Sequence, residues 1–368
     1  MKVIMTCGGT GGHIYPAVAI ADEIRRRDPD TEILFVGSEI GMERDLVPQC
    51  GYDIELIEAD GFNRRSITKN IVALKRLRRG SKKSRVILKT FRPDVVVGTG
   101  GYASAPIMKA AQKMNIPTYV HEQNAFPGMA NKLLERNVEK LFLGFGEASR
   151  HFKYPQKHIV AGNPVRKEFI EADRDEARAR LGFGQSDFIL LAFGGSQGAK
   201  RVNRAMMKVI ETFYGLKDFN ICLVAGGYYY EEITEELEAK GIEVGKNIKI
   251  MEYINDMASY LAASDLVICR SGALSVAEVT VCGKPAIFIP LPLVTGNHQY
   301  YNAKAVADKG GAIIIEEKDL DNDQLVNEIL NLKNNREVLK RMAEKSLSCA
   351  PFDAAGIICD SIMGREAQ

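Results

Sequence analysis

Several things are missing from this chain, and each absence excludes a class of protein. Its seven cysteines (Cys7, Cys50, Cys222, Cys269, Cys282, Cys349 and Cys359) are odd in number, scattered, and never spaced as C-x-x-C. That argues against a disulfide scaffold or a cysteine zinc site and fits buried thiols in a reducing compartment. No H-E-x-x-H and no Cys/His cluster appears, so no protein-held metal is expected. No apolar run approaches the ~18 residues of a membrane span. Met1-Lys2 leads directly into an apolar strand, so no leader is expected. The glycines of the first turn do not read G-x-G-x-x-G, which argues against a nicotinamide dehydrogenase. Finally, no acidic residue occurs from Gly61 to Pro93.

What is present reads as a soluble α/β protein. Apolar residues are 46% and charged residues 26% of 368, enough for two well-formed cores. Short apolar strands alternate with helices throughout, the pattern of parallel sheets. Expected strands in the first half are 2–7, 32–36, 53–57, 95–98, 118–120 and 141–143; helices fit 16–27, 42–49, 71–91, 105–114 and 128–136. The turn Gly162-Asn163-Pro164 marks a domain boundary. Beyond it, strands fit 188–193, 221–225, 248–251, 266–269, 286–289 and 312–315. Helices there fit 200–213, 231–240, 256–263, 274–281 and 299–309, with two more after Asp321.

Each half carries a glycine-rich turn between a buried strand and a helix. These are Gly8-Gly9-Thr10-Gly11-Gly12-His13 and Gly194-Gly195-Ser196-Gln197-Gly198-Ala199. Glycine lets the backbone approach a ligand closely, and a helix N-terminus offers free N–H groups and positive potential. The pair predicts two nucleotide-type folds facing a cleft, with a phosphorylated ligand between them. His13 follows the first turn and suits a diphosphate hydrogen bond or the removal of a hydroxyl proton; a capping histidine is the plainer reading. Gly98-Thr99-Gly100-Gly101 forms a third glycine turn. His121-Glu122-Gln123-Asn124 ends a parallel strand, where open α/β sheets bind ligands. Arg270-Ser271-Gly272-Ala273 opens another helix that could meet an anion, and Glu278 lies about a turn inside it, suited to a ribose diol. Asp173-Arg174-Asp175 and Asp321-Asn322-Asp323 read as helix caps and first-turn acids, not metal ligands.

The acid-free stretch holds twelve basic residues, from Arg64 and Arg65 through Lys75 and Arg78 to Arg92, with Ile71, Leu74 and Leu77 at helical spacing. A basic amphipathic helix favours an anionic membrane surface, each nearby cation adding roughly 1 kcal/mol. Nucleic acid is disfavoured, since only Phe62 and Phe91 could stack on bases.

As a set, Gly8–His13, Gly98–Pro106, His121–Asn124, Gly194–Ala199, Arg270–Glu278 and the stretch around Gln299 resemble the peptidoglycan N-acetylglucosaminyltransferases of glycosyltransferase family 28, essentially end to end. The resemblance implies a GT-B fold: two Rossmann-like parallel-sheet domains facing a deep cleft. Residues 1–164 would form an acceptor- and membrane-binding domain and 165–349 a UDP-GlcNAc-binding domain, with the C-terminal helix within 350–368 packing back onto the first. The implied reaction is inverting transfer of N-acetylglucosamine from UDP-GlcNAc to the 4-hydroxyl of the MurNAc of lipid I. It forms lipid II at the cytoplasmic face of the membrane, on a peripheral protein.

Carried over by position, Ile254 would meet uracil through its backbone and Glu278 would take the ribose hydroxyls. Ser196 and the helix start Ala273, Leu274, Ser275, Val276 and Ala277 would face the diphosphate, with Arg166 nearby. Gln299 and Asn124 would reach the sugar, and Thr10, Gly11 and Gly12 would line the opposite wall. Gly100, Gly101, Tyr102, His121 and Gln123 would hold the acceptor. The general base would be His13, with Glu122 as the alternative. No tightly bound cofactor is implied; magnesium could enter with the acceptor pyrophosphate. The chain departs from some members at His298, where they carry a second glutamine. Runner-up readings are another GT-B lipid glycosyltransferase, such as a diacylglycerol glycosyltransferase, or a UDP-GlcNAc epimerase; a non-catalytic sensor would bind UDP-GlcNAc without turnover.

Overall fold

The computed structural model describes residues 1–59, 67–195, 197–245, 247–292, 294–320, 322–351 and 353–364, with the backbone alone at 67–74, 295 and 322. The chain divides into two compact units, Met1–Arg166 with Asp353–Gln368, and Lys167–Phe352.

In the first unit the strands are β1 (Lys2–Thr6), β2 (Glu32–Ser38), β3 (Asp53–Ile57), β4 (Val95–Gly98), β5 (Thr118–Glu122), β6 (Lys140–Leu143) and β7 (His158–Val160). Its helices are α1 (Gly11–Arg27), α2 (Glu43–Gln49), α3 (Ile67–Phe91), α4 (Ser104–Lys113) and α5 (Met129–Leu134). All strands pair in parallel in the order β3-β2-β1-β4-β5-β6-β7. Side chains alternate across the sheet, so two cores form. Val3 and Met5 of β1 are fully buried on the face covered by α1. Ile4 points to the other face, with Ile107 and Met108 of α4. Parallel strands covered on both faces must be apolar nearly throughout, and β1 and β4 are.

The second unit begins with two short helices, α6 (Lys167–Glu171) and α7 (Arg174–Leu181). Its strands are β8 (Phe188–Phe193), β9 (Phe219–Val224), β10 (Ile248–Met251), β11 (Leu266–Cys269), β12 (Ala286–Phe288) and β13 (Ala312–Ile314). Its longer helices are α8 (Lys200–Phe213), α9 (Gly227–Ala239), α10 (Met257–Ala263), α11 (Ala273–Val281), α12 (His298–Ala307), α13 (Asn322–Asn334) and α14 (Arg336–Leu347). The order β10-β9-β8-β11-β12-β13, again parallel, repeats the left-hand and central part of the first sheet. The last helix, α15 (Ala354–Ile362), lies in the first unit against α1. Ile358, Cys359 and Ile362 enter that core, and the Arg27 guanidinium pairs with Asp360.

The strands expected from sequence are found, shifted at their ends by at most a few residues. β7 and the short helix α6 are additions, whereas α7 starts where the Asp173-Arg174-Asp175 string predicts a capped helix. Asp173 accepts from the N–H groups of Asp175 and Glu176 at 2.9 Å, as a helix N-cap does. Of the second Asp-x-Asp string, Asp321 lies outside the described residues. Among the described residues no helix is long and apolar enough to cross a membrane.

Candidate active site

In each sheet the strand order reverses beside the first strand, between β1 and β4 and between β8 and β11. Loops leaving those paired strands diverge, one to each face, which opens a crevice at their carboxyl ends. Every glycine motif singled out from the sequence sits there.

In the first unit, the turn after β1 is held from below by Glu43. This fully buried carboxylate accepts from Gly9 N–H at 2.9 Å and from Ser38 N–H at 2.7 Å. The third glycine turn rests directly on it. Gly101 has φ +87°, and a Cβ there would stand 2.2 Å from the Gly8 carbonyl oxygen. Gly100, φ +99°, faces the His13 ring, where a Cβ would lie 2.9 Å from Nδ1. Thr10 is the N-cap of helix α1, but its side chain makes no capping hydrogen bond, and the first turn contains no acid. Thr10 and Gly12 are exposed, and His13 is half-buried.

The His121–Asn124 string is placed differently from the sequence expectation of four ligand-facing side chains. His121, Glu122 and Gln123 are 0%, 1% and 1% exposed, and only Asn124 is half-exposed. The Glu122 carboxylate is fully occupied. It accepts from Asn124 N–H and Nδ2, Gly128 N–H and Asn131 Nδ2 at 2.8–3.2 Å, so it fastens the loop that follows β5. Gln123 spans the site. Its Nε2 is 2.7 Å from the Thr99 carbonyl oxygen and 3.0 Å from His121 Nδ1, and its Oε1 is 3.1 Å from His13 Nδ1. His13 Nδ1 is also 2.9 Å from the Thr99 carbonyl oxygen, and His121 Nε2 is 2.9 Å from that of Gly162. Burial lowers the His121 pKa to about 4, the Gly162 contact opposing and the nearby His13 adding to the shift. Tyr102, at the mouth of α4, is 61% exposed. Arg166 lies over the Tyr15 ring at 5.1 Å.

In the second unit the turn after β8 packs backbone to backbone on the turn after β9. A Cβ at Gly198 would stand 2.0 Å from the Ala225 carbonyl oxygen, and one at Gly226 2.5 Å from that of Gln197. Ser196 lies outside the described residues. Helices α8 and α11 follow the N-cap residues Ala199 and Gly272, with neither a side-chain cap nor a first-turn acid. Asp173, Asp256, Asn335 and Asp353 cap their helices, whereas α4, α5, α9 and α12 likewise lack a side-chain cap and a first-turn acid. The free N–H groups of α1, α8 and α11 are therefore open to an anion.

At the α11 start, Leu274 and Ser275 are half-exposed, while the side chains of Ala273, Val276 and Ala277 are buried. Val276 N–H already bonds Gly272 O at 3.0 Å, which leaves the amides before it. Glu278 is half-buried one turn further on; its charge raises the pKa of the buried Cys269 thiol, though burial itself raises it more. Ile254, after β10, is 7% exposed. Arg270 ties the crevice loops together, donating to the carbonyls of Ile289 and Pro290 and to Glu317. Gln299 accepts from Leu291 N–H through its side-chain oxygen at 2.9 Å and from Ser271 Oγ through its backbone oxygen at 2.8 Å.

The model of the glycosyltransferase family 28 N-terminal domain matches residues 3–143, and that of the C-terminal domain residues 189–355. The chain belongs to glycosyltransferase family 28. Within this family it is 43% identical over 362 residues to a protein of Acetivibrio thermocellus, spanning 98% of this chain and 97% of that one. That relative is named UDP-N-acetylglucosamine--N-acetylmuramyl-(pentapeptide) pyrophosphoryl-undecaprenol N-acetylglucosamine transferase. A Clostridioides difficile protein of the same name is 40% identical over 99% of this chain and 88% of its own length. The crystal structure of Acinetobacter baumannii MurG superposes with a TM-score of 0.78 at 28% identity, covering 99% of both chains. The fold is GT-B. A UDP-GlcNAc 2-epimerase of Neisseria meningitidis shares it at TM-score 0.70 and 13% identity, a likeness of fold alone.

The acid-free basic stretch of the sequence falls largely on α3. The side chains of Ile71 and Leu74, and the whole of residues 60–66, lie outside the described residues. Lys75, Arg78, Lys82 and Arg85 are exposed, and Leu77 is half-buried. On the inner side Gly80 touches the exit of β3, where a Cβ would stand 2.2 Å from the Glu58 carbonyl oxygen. Arg79 and Lys83 pair loosely with Glu58 and Glu55, at 3.5 and 3.6 Å.

Proposed function

We propose that this chain transfers N-acetylglucosamine from UDP-GlcNAc to the 4-hydroxyl of the MurNAc of lipid I, with inversion, giving lipid II and UDP. What carries this reading is the 43% identity, end to end, to a relative named for that transfer. The two crevices supply chemistry that suits it.

In the second unit, Glu278 takes the ribose hydroxyls and the Ile254 backbone reads uracil. The open amides of α8 and α11 and the Ser196 hydroxyl meet the diphosphate, whose negative charge grows as UDP leaves. Gln299 reaches the sugar. In the first unit, Gly100, Gly101 and Tyr102 hold the acceptor diphosphate beside the α1 N-terminus. His13 takes the acceptor proton as its oxygen attacks the anomeric carbon and the bond to UDP breaks on the opposite side. Attack from behind the leaving group is what inverts the anomeric centre. Glu122 is the poorer base, because both its oxygens already accept from the loop after β5. Any magnesium arrives with the acceptor pyrophosphate, which brings its own oxygen ligands.

The exposed basic face of α3 supports a peripheral seat on anionic lipid, which this reading puts at the cytoplasmic face of the membrane. Incubation of the protein with labelled UDP-GlcNAc and a lipid I analogue tests the transfer. Label should appear in the lipid only when the analogue is present; conversion of the sugar without acceptor would mean an epimerase. Glu278→Ala should raise the KM for UDP-GlcNAc at least tenfold, and an unchanged value would remove the ribose role. Flotation with anionic vesicles should exceed that with neutral ones.

A further inference from the structure

The hydrogen-bond chain behind His13 has fixed proton positions, because backbone carbonyls stand at both of its ends. A carbonyl oxygen can only accept. The Gln123 atom 2.7 Å from the Thr99 oxygen must therefore be the amide nitrogen, which turns Oε1 toward His13. His13 Nδ1 then faces two acceptors, Thr99 O at 2.9 Å and Gln123 Oε1 at 3.1 Å, and must carry the proton. At the far end His121 Nε2 faces the Gly162 carbonyl oxygen at 2.9 Å and must donate. Its Nδ1, 3.0 Å from the Gln123 amide nitrogen, is left to accept. Every group in the chain has its complement, with no proton surplus. The Gln123 backbone is fixed too, since its carbonyl accepts from Asn163 Nδ2 at 3.0 Å.

We propose that Gln123, oriented by His121, is a positioning residue that holds His13 as the Nδ1–H tautomer and so leaves the Nε2 lone pair for the acceptor hydroxyl. The inference rests on the reading of His13 as general base. Nε2 has no hydrogen bond among the described residues, and the ring is half-buried, so one nitrogen is committed inward and the other is available. A neutral imidazole has one donor and one acceptor nitrogen, so fixing the first assigns the second. His121 suits the relay because it stays neutral: burial holds its pKa near 4, and a protonated Nδ1 would turn the Gln123 amide around. The side chains of His121 and Gln123 thus face each other, His13 and the protein backbone, whereas the family resemblance implies that they hold the acceptor.

Two measurements test this on the full-length protein. Histidine 15N NMR at pH 7.5, with the five histidines assigned by single substitution, should show His13 protonated at Nδ1 and His121 protonated at Nε2. A His13 protonated at Nε2 overturns the proposal. In transfer assays Gln123→Leu should lower kcat about tenfold, the scale of one lost hydrogen bond to the base, with KM for UDP-GlcNAc held within about twofold. The same substitution in a His13→Ala background should cost nothing further. An equal loss in both backgrounds would mean that Gln123 serves only the fold, and it overturns the positioning role. Near-normal turnover of His13→Ala alone would remove the base reading, while the NMR assignment judges the tautomer by itself.

Discussion

At the scale of single residues, Gly100 shows how little room the site leaves. Its φ of +99° is strained for any L side chain, and a methyl group would meet the His13 ring at 2.9 Å. Gly100→Ala should lower kcat by at least about tenfold while unit 1 keeps its far-UV spectrum, because the displaced group is the ring and not a strand. The protonation of His121 gives a second expectation. Its pKa is lowered from 6.5 to about 4 in the folded state, with His13 the titratable group that faces it. The unfolded chain therefore binds more protons between those values, and stability must fall as pH drops through that window. A shift of that size corresponds to roughly 3 kcal/mol. Urea denaturation at pH 7 and at pH 5 should show about 2 kcal/mol of that loss, the remainder appearing only below pH 5, and a His121→Gln variant should flatten the dependence.

Arg178 belongs to the same scale, and no sequence pattern announces it. It sits in the highly charged run Arg174-Asp175-Glu176-Ala177-Arg178-Ala179-Arg180, which reads as a solvated helix. The side chain is 0% exposed. Its guanidinium donates to the carbonyls of Ala263, Gly184, Gln185 and Asp187, and to the Asp265 carboxylate. Three of those acceptors come from one loop folded over the helix end, which only the tertiary fold brings there.

At the scale of elements, α3 is both a surface and a packing piece. Its outer cations fit a lipid surface, but its seat on the sheet depends on Gly80. The atom that a Cβ would strike is backbone, the Glu58 carbonyl oxygen, so it cannot swing aside. Gly80→Ala should therefore destabilise unit 1 by about 1–3 kcal/mol in thermal or urea unfolding, against the mild gain expected of an exposed helical glycine. The element boundaries were legible where apolar runs ended in turn residues: β8, β10, β11 and α8 lie where the sequence put them. Helix α1 begins at Gly11, earlier than expected from Pro16. Glycine is a poor helix former, so propensity places the start late, but these two residues are held by their position in the turn. Strand β7 has only three residues, His158-Ile159-Val160, at the sheet edge, too few for a period to show.

At the scale of the whole molecule, the chain leaves the first unit at Arg166 and returns to it at Asp353. The closing helix buries Ile358 and Ile362 beside Ile20 and Ile24 of α1, and the Cys359 thiol reaches the Ile20 carbonyl. The first unit thus lacks part of its core until the C-terminus is present. Ile358→Ala should cost about 2–5 kcal/mol, the range for emptying a buried isoleucine site. Hydrogen exchange should report the loss at α1, roughly 340 positions away along the sequence; loss confined to residues 167–352 would contradict it.

The sequence by itself determined the class of this protein: parallel strands, glycine turns at their ends, open helix N-termini, and family 28 through the motifs that join them. Those features are local, since a strand, its turn and the first helical residues all lie within about fifteen positions. Only the tertiary structure decided what each polar side chain does there. His121, Glu122 and Gln123 look alike in the string, yet whether a side chain faces ligand or backbone depends on which strands flank β5 and which carbonyls those strands present. Burial is a property of neighbours that are distant in sequence, and no local pattern encodes it.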